Sequence, residues 1–134
     1  MAAQANIRIL VRGLEGFVDR VVRKLVLDIV GELVPATPID TGWARSNWVP
    51  KIGKPFDGVA GSYPGPPVFG ALNFGAQSGG AAAVAGGYTT RFGPVYITNN
   101  VPYIGDLDRG HSRQAPAGFV RAAIERAIKG LFTA

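Results

Sequence analysis

VYITNNVPYIGDLDRGHSRQAPAG, Val95 to Gly118, is the stretch around which the rest of the chain is organised. It opens as a strand, because Val95, Tyr96, Ile97 and Thr98 are β-branched or aromatic and follow Gly93-Pro94. It breaks at Asn99-Asn100, since asparagine tolerates left-handed backbone and bonds its own chain, and Pro102 removes a donor. It closes at Ala115-Pro116, where a proline held near helical φ suits the first turn of a final helix. Nearly every polar side chain in it can satisfy backbone, which predicts a loop of one shape.

On the C-terminal side, Phe119/Val120, Ala123/Ile124, Ala127/Ile128 and Leu131/Phe132 recur every four residues and predict a helix from Pro116 to about Leu131. Arg121–Glu125 and Glu125–Lys129 are favourable i,i+4 pairs on its outer face. A longer run of doublets lies near the N-terminus: Phe17/Val18, Val21/Val22, Leu25/Val26, Ile29/Val30 and Leu33/Val34 predict a helix over Leu14 to Val34. The true helical repeat is 3.6, so a strict period of four makes the stripe drift by about 40° per doublet. One end can face the domain's own sheet while the other faces a neighbouring subunit; burial all round by the same domain is the alternative. Lys24 and Asp28 can pair, and packing rather than charge holds the helix.

Between these helices the signals are shorter. Ile7, Ile9 and Val11 alternate and suggest an edge strand over 6–12, punctuated by Gly13. Pro35 and Pro38 stop the first helix, and TPIDTG (37–42) reads as a turn in which Asp40 accepts backbone N–H groups. Alternation over 43–52 predicts a strand with a tryptophan on each face. GKPFDGVAGSYPGPP (53–67) reads as an extended loop and 71–87 as a frayed helix weakened by its glycines, while 88–92 and 95–98 read as two strands or as one strand bent at Gly93-Pro94. The fold class is α+β: a small antiparallel sheet of about four strands, packed by the N-terminal and C-terminal helices, with a long Gly/Pro-rich central loop in one domain spanning 1–134.

Composition narrows the function. The 134 residues are 47% hydrophobic and only 17% charged, against roughly 25% charged in an average soluble domain. A chain short of charge often hides surface in an oligomer. Cysteine is absent, which removes disulfides, thiol catalysis and thiolate metal sites. No apolar run reaches the ~18 residues of a membrane span, and MAAQANIR lacks signal-peptide order, so the expectation is a cytoplasmic start without export. The single histidine, His111, neighbours Ser112 without a nucleophile elbow and reads as a loop hydrogen-bonder. Asp106 and Asp108 lack a third carboxylate and are followed by Arg109, so they read as turn acids rather than metal ligands. No enzyme, cofactor or metal is expected. The net charge of +5 allows nucleic-acid contact through Arg8, Arg12, Arg20, Arg23, Lys24, Arg109 and Arg113, although no stacking motif or helix-turn-helix accompanies them.

TPIDTGWAR (37–45) and YITNNVPYIGDLDRGHSRQAPAGFVRAAIERA (96–127) together resemble the tail-completion, or neck, proteins of long-tailed bacteriophages. That pattern has T-P-x-D-T-G-x-x-R after the first helix, then N-N-x-P-Y, an acidic-flanked glycine, and S-x-Q-A-P-x-G-x-V opening the last helix. Thr37, Pro38, Asp40, Thr41, Gly42 and Arg45 match the first block. Asn99, Asn100, Pro102, Tyr103, Gly110, Ser112, Gln114, Ala115, Pro116, Gly118 and Val120 match the second. The chain departs in having Asp108-Arg109 where glutamate is common and in a glycine- and proline-richer centre.

The resemblance implies a non-enzymatic virion protein, assembled in the host cytoplasm. It would form a homo-oligomeric ring of about six subunits at the head-proximal end of the tail. Tail-terminator or tail-tube and head-connector proteins are the implied neighbours. On this reading Phe56 and Tyr63 anchor contacts to a neighbouring ring, and Arg20, Arg23, Lys24, Arg109 and Arg113 line a channel for genomic DNA. Asp40, Asn99 and Asn100 are expected to hold the fold. The runner-up is a small basic DNA-binding module.

Overall fold

The computed structural model describes residues 2–38, 43–59, 75–110 and 115–132, with side chains from residue 13 onward. The doublet-bearing segment is helical and longer than its pattern predicts: α1 runs Ala2–Ala36. Residues 6–12, expected as an edge strand, are part of it. The alternation of Ile7, Ile9 and Val11 loses to propagation, since extending an existing helix is far cheaper than nucleating a separate element. Gly13 weakens α1 without breaking it, and Pro35 ends it one residue later.

The drift of the apolar stripe is visible in burial. Val26, Val30 and Leu33 are buried at 6%, 8% and 1% exposure, whereas Leu14, Phe17 and Val18 stand 56%, 58% and 45% exposed. The C-terminal half of α1 faces the core; its other half leaves apolar surface in the open.

Among the described residues the sheet has two strands rather than about four. β1 (Val49–Ile52) and β2 (Val95–Thr98) pair antiparallel, with Val49 opposite Thr98 and Ile52 opposite Val95. Gly53 N donates to Pro94 O at 2.8 Å and continues the ladder by one residue. The rest of the strand expected over 43–52 is a turn. Ser46 Oγ and Asn47 Nδ2 both donate to the Trp43 carbonyl (3.1 and 2.7 Å), and these local bonds pull Arg45–Asn47 into a 3-10 turn. The strand expected over 88–92 is likewise a 3-10 turn, Thr90–Phe92. Its first N–H is taken by Asp19 Oδ1 of α1 at 2.7 Å, and Gly93 leaves it at φ 89°.

Glycines do not prevent the middle helix. α2 (Gly75–Gly87) buries Gln77 and Val84 on one face, and Gly80 of that face lies against β1. A short α3 (Ile104–Asp108) interrupts the organising stretch, and α4 (Phe119–Phe132) closes the chain, burying Phe119, Ala123 and Ala127 at the spacing of four. Pro116 precedes α4 by three residues instead of opening its first turn. α4 packs along α1, and Arg126 Nε reaches Glu32 Oε2 at 2.9 Å, an exposed pair that adds little to stability.

The core falls into two clusters. The larger gathers Leu33, Trp48, Val101, Leu107 and Phe119 among others; the smaller is Val26, Val84 and Tyr88. Two helices flanking a small sheet make the class α+β. No described helix is long and apolar enough to cross a membrane.

Candidate functional site

The two sequence blocks lie more than fifty residues apart and meet in space. Thr37, 1% exposed at the end of α1, donates its Oγ1 hydrogen to Leu33 O and accepts from Trp48 Nε1, each at 2.7 Å. Pro38 is buried beside it. Arg45 turns back over the same helix end: Nε and Nη2 donate to Thr37 O, and Nη2 also to Pro35 O. Helix ends leave carbonyls without partners and carry partial negative charge, so a guanidinium with several donors suits this place.

Asn99 joins the second block to the first. Its Nδ2 donates to Ala44 O at 2.8 Å, while its Oδ1 accepts Val101 N. Trp43 and Tyr103 add a tilted ring contact with centroids 5.7 Å apart. Asn100 Nδ2 donates to the carbonyls of Phe56 and Gly58, tying the start of the central loop to the same place. Both asparagines thus bond backbone carbonyls more than forty residues away in sequence. Asn99→Ala is expected to destabilise the fold by about 1–3 kcal/mol, because it strips partners from two backbone groups. Chemical denaturation measures this, and Pro102→Ala at an exposed position serves as the reference.

The end of the organising stretch is built on Asp108. Its Oδ1 accepts Val120 N, and its backbone carbonyl accepts Gly118 N at 2.7 Å. The carboxylate thus caps α4 from outside the helix, a role the turn-acid reading of Asp108 did not specify. Gly110 and Gly118 adopt φ 96° and 78°, which side chains rarely do, and a Cβ on Gly110 would also crowd Ala117. Ala115 is buried and Pro116 exposed. Asp108→Ala is expected to lose about 0.5–2 kcal/mol, the usual cost of a missing cap, read from the denaturation midpoint.

Trp48, Gln77 and Asp108 belong to this scaffold and were missed as site residues. Gln77 Nε2 donates to Arg45 O from α2, a contact across 32 residues that no local pattern announces. Asp40, Thr41, Gly42, Tyr63, Ser112, Arg113, Gln114 and His111 lie outside the described residues. Among the described residues no buried side-chain nitrogen or oxygen lacks a partner. Nor do three or more histidine, cysteine or acidic side chains gather there as a metal cluster would require. In the described part of the block the buried side-chain polar atoms are satisfied, which is the arrangement of a scaffold.

The basic candidates are placed differently. Arg23 Nη1 donates to Tyr88 O at 3.1 Å, Lys24 pairs with Asp28 at 2.6 Å, and Arg109 pairs with Asp106. Arg20 is exposed on the same half of α1, while Arg109 follows α3, so the four described cations sit on two elements. Phe56 is half-buried at the start of the central loop. The larger exposed features are apolar: Leu14, Phe17 and Val18 on α1, Phe92 (59%) after α2, and Ile128 and Phe132 (82%) at the end of α4. The chain matches no family model, no curated protein and no solved structure, so its function is argued from its own residues.

Proposed function

We propose that the chain is a structural virion protein of a tailed bacteriophage. It forms a homo-oligomeric ring at the head-proximal end of the tail and joins the tail to the head connector. The observation that carries the reading is the junction of the two resembling blocks, where Asn99 bonds Ala44 O and Trp43 meets Tyr103. The motif residues act on one another as a scaffold, and function is left to surfaces such as the open half of α1 and the end of α4. Exposed apolar groups on that scale suit a subunit whose stability is completed by neighbours. The basic-module alternative draws less support, because Arg23, Lys24 and Arg109 already hold partners within the chain.

The test is capping of preformed tail tubes, viewed by negative-stain electron microscopy after adding the purified protein. Density at one end of the tubes is the expected result. Bare tubes, together with salt-sensitive DNA binding by the monomer, would move the assignment to the basic module.

A further inference from the structure

α1 is held in two different ways along its length. From Val22 onward apolar packing anchors it: Val22 and Val26 pack in the smaller core cluster, and Ile29, Leu33 and Val34 in the larger. Among the described residues no side chain before Val22 packs against either cluster. Over 13–20 only Gly16 and Asp19 are half-buried, and the other six residues are exposed.

Polar bonds take the place of that packing. Glu15, Asp19 and Arg23 recur every four residues along one line of the helix. Arg23 Nη1 donates to Tyr88 O at 3.1 Å, Asp19 Oδ1 accepts Thr90 N at 2.7 Å, and Glu15 Oε2 accepts from Arg91 Nη2 at 3.5 Å. The segment 88–91 therefore runs along α1 in the opposite direction. Its turn is closed by its own bonds: Tyr88 OH donates to Gly93 O, Phe92 N to Thr89 O, and Gly93 N to Thr90 O. Tyr88 is buried in the core and Val95 begins β2, so both ends of the turn are fixed whether or not α1 lies against it.

We infer that residues 13–21 of α1 form a releasable arm, docked on the Thr90–Phe92 turn by a latch whose main member is Asp19. Arg23 lies beside the first core contact and belongs to the anchored half. Glu15 and Arg91 are an exposed pair, and such pairs add little. Asp19 differs, because its carboxylate takes the first N–H of the turn, a donor that the turn itself does not satisfy. Gly13 and Gly16 lower the helix propensity of the arm. Few buried apolar contacts and an exposed backbone mark a segment that opens apart from the global fold. Its release uncovers no core side chain, whereas Val26, Val30 and Leu33 open only with the domain. Leu14, Phe17 and Val18 are carried on the arm, so the latch sets where that apolar surface stands relative to the core. The inference concerns the fold alone and holds or fails independently of the ring proposed above.

Hydrogen exchange of the whole chain in dilute solution, read by mass spectrometry, tests it. Amides of 13–21 are expected to exchange at least tenfold faster than those of 26–33, and equal protection would overturn the arm. Asp19→Ala separates the latch from helix propensity. Alanine is the better helix former, so without a latch the substitution slows exchange over 13–21. With the latch it speeds exchange there roughly fivefold, the effect of a lost cap, and leaves 26–33 unchanged. Asp19→Asn keeps an oxygen able to accept the Thr90 N–H and is expected to stay near the parent. Slower or unaltered exchange in Asp19→Ala overturns the latch, and faster exchange that spreads equally to 26–33 overturns the separate arm.

Discussion

Trp48→Ala is expected to destabilise the protein by about 3–5 kcal/mol, a large part of the 5–15 kcal/mol that holds a typical domain together. The indole is 6% exposed in the larger core cluster, against Leu33, Val101 and Phe119. Truncation removes that packing and leaves a cavity that the surrounding elements fill only in part. It also removes the Nε1 donor to Thr37 Oγ1. Two milder variants divide these contributions. Trp48→Phe keeps most of the apolar area and is expected to lose about 1–2 kcal/mol, near the value of one hydrogen bond and a smaller ring. Thr37→Val keeps the volume but strands the buried indole N–H, for about 1–3 kcal/mol. Urea unfolding followed by far-ultraviolet circular dichroism reads all three without relying on tryptophan emission. If Trp48→Ala fell within about 1 kcal/mol of the parent, the block at the end of α1 would not be the keystone described here.

Gly80→Ala is expected to destabilise by at least about 1–3 kcal/mol, whereas Gly79→Ala next to it gains about 0.5–1 kcal/mol. The two glycines share one helix and differ in what a side chain would meet. A Cβ at Gly80 would fall on the Pro50 carbonyl of β1, a backbone group that cannot step aside as a flexible side chain does. At Gly79 nothing lies within 4 Å, so alanine there brings only its better helix propensity. Thermal unfolding of the two variants beside the parent tests the packing of α2 on β1 with the amino-acid change held constant. Equal shifts for both would mean that α2 does not approach β1 through Gly80.

These two sites also mark what was legible in the sequence. The doublets of α1 and α4 announce themselves because a period near 3.6 survives any local detail, and β2 because Val95–Thr98 is β-branched between turn residues. The strand expected at 43–48 failed through chemistry that alternation does not register: Ser46 and Asn47 bond the Trp43 carbonyl and close a turn. The strand expected at 88–92 failed through a partner distant in sequence, Asp19, which takes the N–H of Thr90. At residues 6–12 a short alternation was set against a long adjacent helix, and the helix prevailed. Gly80 looked like a helix weakener, and only the position of Pro50 turns it into a requirement. Thr37, Arg45 and Asn99 stood out only through the resemblance that the two blocks carry, while their role as a single hydrogen-bonded junction depends on Trp48 and Gln77.

The central claim is that a satisfied motif scaffold carries open apolar surfaces for assembly into a ring. The most direct measurement is the solution mass of the purified protein by light scattering, alone and mixed with tail-tube protein. The account predicts a species several times the subunit mass, alone or on mixing, that dissociates when Phe17 is replaced by glutamate. A strict monomer under both conditions, changing mass only when DNA is added, would contradict it.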